Sequence, residues 1–200
     1  MKLIYTASQV REAEKPYIEA ADYDGYLMQR AADAVAAEAQ DLLRGKDNAK
    51  ILLLIGPGNN GADTIYAGAR LSAKGHRVDA VIFDSSEKNL ELIAREGGEG
   101  TRVLDPEHTH EQLAGYDLTI DGILGTGSSG AVRGSAGEYL GVLRAAQLDG
   151  KLGAVLAVDT PSGVDNNRGT VHEPSLRADR TVTFIGHKLP AGTSHSVHSG

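Results

Sequence analysis

The sequence predicts an α/β fold: three layers, with helices on both faces of a mostly parallel, doubly wound sheet and two extra helices ahead of it. Three observations predict this. Ile51 to Ile55 is an unbroken aliphatic run, the pattern of a strand buried on both faces. Downstream, short apolar runs alternate with amphipathic segments of about ten residues, which implies right-handed βαβ crossovers. The chain also holds 25 glycines among 200 residues, and they gather behind the apolar runs, where strands turn into helices.

The elements follow in order. Ser8 is positioned to cap a helix starting at Gln9, with Arg11, Glu12 and Glu14 on its solvent face. Met28, Ala32, Val35, Ala39 and Leu42 form one apolar stripe and predict a helix over Tyr26 to Leu43, stopped near Gly45. Strands are predicted at Ile51 to Ile55, Val78 to Phe83, Arg102 to Leu104, Leu118 to Leu124, Ala154 to Val158 and Thr181 to Ile185. Helices are predicted at Asp63 to Lys74, Glu87 to Glu96, Glu107 to Ala114 and Gly137 to Leu148. The first strand is apolar on both faces and is expected at the centre, giving the order 3-2-1-4-5-6 of a Rossmann-like sheet. The tail after His187 is small and polar and reads as loose. Residues 1–200 read as one domain.

Composition removes several function classes. Net charge is −7, and no run of Lys or Arg suggests a nucleic-acid surface. Cysteine is absent, so disulfides and thiolate metal sites are excluded. No apolar run approaches the roughly 20 residues needed to span a bilayer, and the N-terminus turns charged too early for a signal peptide. The expected location is the cytoplasm. His108 and His110 read as surface residues flanking a short helix, and His195 and His198 lie in the polar tail with no acidic partner nearby in sequence.

In an open α/β sheet, ligands bind beyond the carboxyl ends of the strands, where the strand order reverses. Three loops there carry chemistry. After the first strand comes GPGNNGAD, in which Gly56, Gly58 and Gly61 satisfy G-x-G-x-x-G and precede a helix N-terminus suited to phosphate. That motif alone would suggest a dinucleotide-dependent dehydrogenase. Yet the ribose-binding acid expected about 20 residues on is unconvincing, because Asp79 falls inside the second strand and Asp84 falls late. Asn59, Asn60 and Asp63 are surplus to the motif. A tight turn capped by Asp63 is the bland alternative.

After the fourth strand, Gly125 to Gly134 forms a second glycine-rich loop with hydroxyls at Thr126, Ser128 and Ser129. Arg133 in it is either a bidentate phosphate ligand or a solvated surface residue. Asp121 lies within an apolar strand, where a carboxylate pairs, caps or coordinates a cation. After the fifth strand, Asp159-Thr160-Pro161-Ser162-Gly163 makes a sharp turn, and Asp159 is a natural general acid/base or simply closes an Asx-turn. Asp63, Asp121 and Asp159 converging on a phosphate-bearing ligand would repel it without a cation. The Asn60 carbonyl, Asp121 and the Ser162 hydroxyl are hard oxygen donors that suit an alkali or alkaline-earth ion. Ser162 is not in a G-x-S-x-G elbow, so a hydrolase triad is poorly supported.

With these loops in hand, the chain resembles the NAD(P)H-hydrate epimerase family, also called the YjeF N-terminal domain. The resemblance runs through SQVREAE, YLMQRAADAVA, GPGNNGAD, ARLSAKGHRV, DGILGTG, VAVDTPSGVD and ADRTVTF, in that order. It implies a Rossmann-like domain, a homodimer, and interconversion of the R and S epimers of hydrated NADH or NADPH. It implies that Asn59, Asn60, Gly61, Ala62, Asp63 and Asp159 bind substrate, together with Gly125, Thr126, Gly127, Ser128, Ser129, Gly130 and Ala131. It also implies one potassium ion at Asn60, Asp121 and Ser162. The chain departs from the family pattern at Ala62 and Thr64, where glycines are usual; a positive φ at Ala62 would strain the loop. Its end after Lys188-Leu189-Pro190 also departs, implying a shortened C-terminus or the front part of a fusion with a hydrate dehydratase.

The expected chemistry moves a proton at an oxygen without redox change. Asp159 is the first candidate for the general acid/base and Asp63 the second. The alternatives are a redox dehydrogenase, a hydrolase, and a non-catalytic nucleotide-binding or scaffold domain of the same fold.

Overall fold

The computed structural model describes residues 5–83, 87–106, 113, 115–125, 127–165, 167–184, 186 and 195–197. The elements run α1 (Ala7–Ile18), α2 (Tyr26–Leu43), β1 (Lys50–Ile55), α3 (Asn59–Ala73), β2 (Arg77–Ile82), α4 (Glu87–Glu96) and β3 (Thr101–Val103). They continue with β4 (Leu118–Gly122), α5 (Gly134–Leu148), β5 (Ala154–Val158), β6 (Val164–Asp165), β7 (Thr170–Val171), β8 (Arg180–Thr183) and β9 (His195–Val197).

The large sheet has the order β3-β2-β1-β4-β5-β8-β9, and every pairing in it is parallel. The expected order therefore holds, with β8 as the sixth strand of the prediction. β1 is central, as its composition requires. Ile51, Leu53 and Ile55 face one apolar layer with Val35, Ala39, Ile65, Leu71 and Leu92. Leu52 and Leu54 face the other, with Tyr139, Leu140 and Leu143 of α5. Burial of each such side chain contributes about 1.5–3 kcal/mol, so β1 anchors both layers.

Four expectations are corrected. α1 starts at Ala7, not Gln9, because Thr6 rather than Ser8 is the cap. The Gln9 N–H donates to Thr6 Oγ1 (3.3 Å) and the Thr6 N–H donates to Gln9 Oε1 (2.9 Å), a reciprocal capping box. α3 starts at Asn59, not Asp63, with Gly58 at its N-cap. The glycines were read as loop throughout, but Gly61 and Ala62 already bond back to the Gly58 carbonyl (3.1 and 3.3 Å). A small antiparallel hairpin, β6-β7, follows the Asp159 turn and was not foreseen, since strands of two residues leave no periodicity. The tail read as loose contains β9, which pairs with β8 at the sheet edge. The expected helix at Glu107 to Ala114, with His108 and His110, lies almost entirely outside the described residues, as do Lys188 and His198. No helix among the described residues is long and apolar enough to cross a membrane.

Candidate functional site

The strand order reverses between β1 and β4, and the loops that leave β1, β4 and β5 meet there. The meeting is tight. A side chain on Gly56 would overlap the Ile123 carbonyl, one on Gly61 the Gly56 carbonyl, and one on Gly125 the Asn60 amide. These glycines therefore serve close backbone approach, since none of the three has a positive φ.

Asn60 ties the loops together. Its Nδ2 donates to the Val158 carbonyl (2.7 Å) at the end of β5 and to the Leu124 carbonyl (3.1 Å) after β4. Thr64 supports it from one turn on, donating from Oγ1 to the Asn60 carbonyl (2.7 Å). That hydroxyl fills the space left by Gly122, whose Cβ would overlap it. Ala62 is helical, 2% exposed and part of the core, so no left-handed strain arises there. The departures at Ala62 and Thr64 are thus packing choices.

Asp121 is fully buried in β4. It accepts from the Ser162 hydroxyl (2.6 Å), the Ser162 N–H (2.9 Å) and the Ile123 N–H (3.3 Å). Ser162 Oγ accepts in turn from the Leu124 N–H (3.0 Å). Burial raises the Asp121 pKa, and those hydrogen bonds oppose the rise. A buried carboxylate held among the described residues by neutral donors, with a serine hydroxyl and an asparagine amide close by, is a hard-oxygen set that fits a group 1 or 2 cation.

Asp159 ends β5 with φ +66°, in the left-handed region that a non-glycine residue enters at a cost of about 1–2 kcal/mol. The turn is held by its own N–H donating to the Val182 carbonyl (2.6 Å) and by the Thr160 N–H donating to the Val158 carbonyl (2.7 Å). The side chain is 7% exposed, with the Thr183 hydroxyl 3.4 Å away. Strain of this kind persists where the surroundings fix it.

Asp63 lies across from it on the first turns of α3 and is 6% exposed. Burial, then the negative charges of Asp159 and Glu14, push its pKa up to about 8. That shift favours the protonated acid near neutral pH. Asp63 is no helix cap, since Gly58 holds that place; it is a buried acid close to a second carboxylate, Asp159.

α1 reaches toward the crevice through two charged residues. Glu14 was placed on a solvent face, yet it acts on Asp63. Arg11 is exposed, as expected, and its Nη1 lies 3.1 Å from the position of a Gly127 Cβ. α1 thus reaches over the crevice, with Val10 its buried apolar anchor. Asn89 was missed altogether. It is buried on α4 and donates from Nδ2 to the Gly56 carbonyl (2.7 Å), fixing the start of the first loop. Only the spacing of polar residues in α4 could have flagged it.

In the second loop, Ser128 folds back onto the Gly125 carbonyl through Oγ (2.8 Å) and N–H (3.0 Å), and Gly130 has φ +87°. Gly127, Ser129 and Ala131 are exposed at its rim, and Thr126 lies outside the described residues. Arg133 is the exposed N-cap residue of α5. Asp79 is not at the crevice. It sits in mid-β2, held by Arg102 (2.7 and 2.8 Å) and the Tyr116 hydroxyl (2.7 Å).

A doubly wound parallel sheet with a glycine-closed crevice at its switch point defines a Rossmann-like domain. Residues 25–189 match the family described as YjeF-related protein N-terminus. The chain belongs to that family. It is 38% identical over 183 residues to the NAD(P)H-hydrate epimerase of Microbacterium testaceum, covering 90% of this chain and 68% of the relative. It is 31% identical over 192 residues to the bifunctional NAD(P)H-hydrate repair enzyme Nnr of Mycobacterium tuberculosis, covering 94% of this chain. This chain spans 38% of that bifunctional protein. The crystal structure of yeast ynu0 superposes with a TM-score of 0.82 at 20% identity, over 98% of this chain and 88% of the yeast chain, which establishes the shared fold.

Proposed function

We propose that this domain is an epimerase that interconverts the R and S forms of hydrated NADH and NADPH, a repair reaction on damaged nicotinamide nucleotides. The observation that carries this reading is the pairing of Asp63, protonated near neutral pH, with Asp159 on a strained turn at the same crevice. The names of the relatives give the substrate class.

The carbon to be inverted bears a hydroxyl and the ring nitrogen. In the reading we favour, Asp63 gives its proton to the departing hydroxyl, which leaves as water while the nitrogen lone pair closes onto the carbon. Water then adds from the other face and yields its proton to a carboxylate, so the acids end as they began. Asp159 accepts that proton and returns it to Asp63. The first turn of α3 at Asn59, Asn60 and Gly61 faces the ligand, and its N-terminal N–H groups suit the diphosphate. The rim Gly125 to Ala131 forms the opposite wall.

A potassium ion belongs to the same proposal, held by Asn60, Asp121 and Ser162. It would balance the buried Asp121 charge and brace the loops that carry the acids. A homodimer, an associated hydrate dehydratase and a cytoplasmic location also belong to it. The bifunctional relatives support the second, and the exposed Tyr17 and Ile18 of α1 offer apolar surface for the first.

The test is direct. The protein is incubated with one purified hydrate epimer, and the mixture is resolved by chromatography. Appearance of the other epimer, with no change in nicotinamide oxidation state, is the expected result. Folded protein that binds the hydrate without interconverting it would replace this reading by a binding module.

A further inference from the structure

At the other edge of the sheet, the first residues of β1, β2 and β3 frame a cavity of about 390 Å³, lined by Lys50, Arg77, Asp79, Gly100 and Arg102. β1 is six residues long, so about 17 Å of buried strand separates this edge from the crevice, and one ligand does not occupy both.

The cavity is positive in a chain whose net charge is −7. Three cations line it against one carboxylate, and that carboxylate is already committed. Asp79, 2% exposed, holds the Arg102 guanidinium at two points (2.7 and 2.8 Å) and accepts from the Tyr116 hydroxyl (2.7 Å). Lys50 and Arg77 take part in no ion pair among the described residues. The Lys50 ammonium lies over the Tyr116 ring, 5.9 Å from its centre, and 3.7 Å from where a Gly115 Cβ would be. Gly100 forms part of the lining, and Gly115 lies beside the Lys50 ammonium. The surplus is two positive charges, one a compact ammonium and one a planar fork, which matches a doubly charged tetrahedral oxyanion.

We infer that this cavity is a second ligand site, separate from the crevice, that binds phosphate or the phosphate group of a small monoester through Lys50 and Arg77, with Arg102 held in place by Asp79. A single negative charge would leave the site half neutralised. A larger polyanion would meet the nearby carboxylate of Asp117, which the Lys46 ammonium (2.6 Å) and the Lys50 N–H (2.9 Å) hold beside this edge.

The experiment titrates the full chain with inorganic phosphate at constant ionic strength near pH 8 and follows backbone amide resonances. Saturable shifts at Gly100, Thr101 and Arg102 are expected, distinct from any shifts at Gly58 to Gly61 in the crevice. The double variant Lys50→Gln/Arg77→Gln is expected to weaken binding at the cavity amides at least tenfold and to leave the crevice amides unaffected. Both residues lie at strand starts with accessible side chains, so the fold is kept; Arg102 is avoided because its loss would strand Asp79 in the interior. A parallel titration with glycerol phosphate separates the sources: tighter binding than inorganic phosphate marks a monoester site, and equal binding marks a site for the free ion. Cavity amides that do not respond, that respond equally to chloride, or that respond unchanged in the double variant would overturn the inference. Epimerase activity is not the readout, so failure of the functional proposal and failure of this one remain distinguishable.

Discussion

Replacing Asp63 with Asn removes a large pH dependence from the stability of the folded state. Asp63 has a folded pKa of about 8 against an ordinary value of 3.8, chiefly because it is buried. A group whose pKa is raised by folding stabilises the fold relative to its ionised form only while it stays protonated. Its contribution is complete below about pH 4 and is lost as pH climbs toward 8, since the unfolded chain releases the proton first and the folded chain holds it. Each pH unit in that window costs about 1.4 kcal/mol, so the whole window amounts to about 5–6 kcal/mol. Solvent screening reduces this little, because the residue is 6% exposed. Asn keeps the shape of the protonated acid and cannot ionise. Urea denaturation at half-unit steps from pH 4.5 to 8.5 gives the assay, with wild type and Asp63→Asn compared at each step. The variant is expected to gain on wild type by about 1 kcal/mol or more per pH unit, and the gain should level off above about pH 8. Asp79 and Asp117, whose pKa values are lowered by their cationic partners, act alike in both proteins and cancel in the difference. Parallel stability curves for the two proteins would refute the assignment of Asp63 as a protonated buried acid.

Other expectations follow from the same geometry. Glu14→Gln lowers the Asp63 pKa from about 8, by less than burial raises it, because Glu14 is the smallest of its three named causes; carboxyl carbon NMR across pH 5–9 reads the shift, and an unmoved titration would detach α1 from the site. Asp159→Gly is more stable than Asp159→Ala by about 1 kcal/mol, because φ +66° suits glycine, and under the proposed function both lose epimerisation; equal melting temperatures would show that the turn relaxes. Gly122→Ala destabilises by about 1–3 kcal/mol through overlap with the Thr64 hydroxyl, and adding Thr64→Ala recovers part of the loss. A thermal scan of the single and double variants checks it, and no recovery would place the clash in the backbone.

Much of this architecture could be read from the chain, and the reasons differ by element. α2, α4 and β5 match their predicted bounds because each is marked by strong periodicity or an uninterrupted apolar run. β1 was legible as central because a strand apolar on both faces has nowhere else to go. The start of α3 was not legible, because glycines that bring backbones together look like glycines that loosen a loop. Asp121, Ser162 and Asn60 were legible as a group from their chemistry, although the chain could not reveal that Asn60 spends its amide on the Val158 and Leu124 carbonyls. Glu14, Arg11 and Asn89 carried no local signal. Their roles arise when distant elements close over the β1 loop, and exposure on an isolated helix says nothing about that.

The glycine motif also shows why one fingerprint does not decide a function. Gly56, Gly58 and Gly61 meet the steric needs of a strand turning into a helix beside two other loops, whatever ligand sits there. A dehydrogenase additionally places an acid at the end of the second strand to hold ribose. Here the Asp79 carboxylate lies in mid-strand, and Arg102 and Tyr116 occupy its oxygens. The crevice instead gathers carboxylates in unlike surroundings: Asp121 held by neutral donors, Asp159 on a strained turn, Asp63 buried and protonated. Hydride transfer needs none of that asymmetry. Moving a proton to and from a hydroxyl calls on acid groups held close together in one small space, and in the proposed reaction Asp63 and Asp159 fill that role.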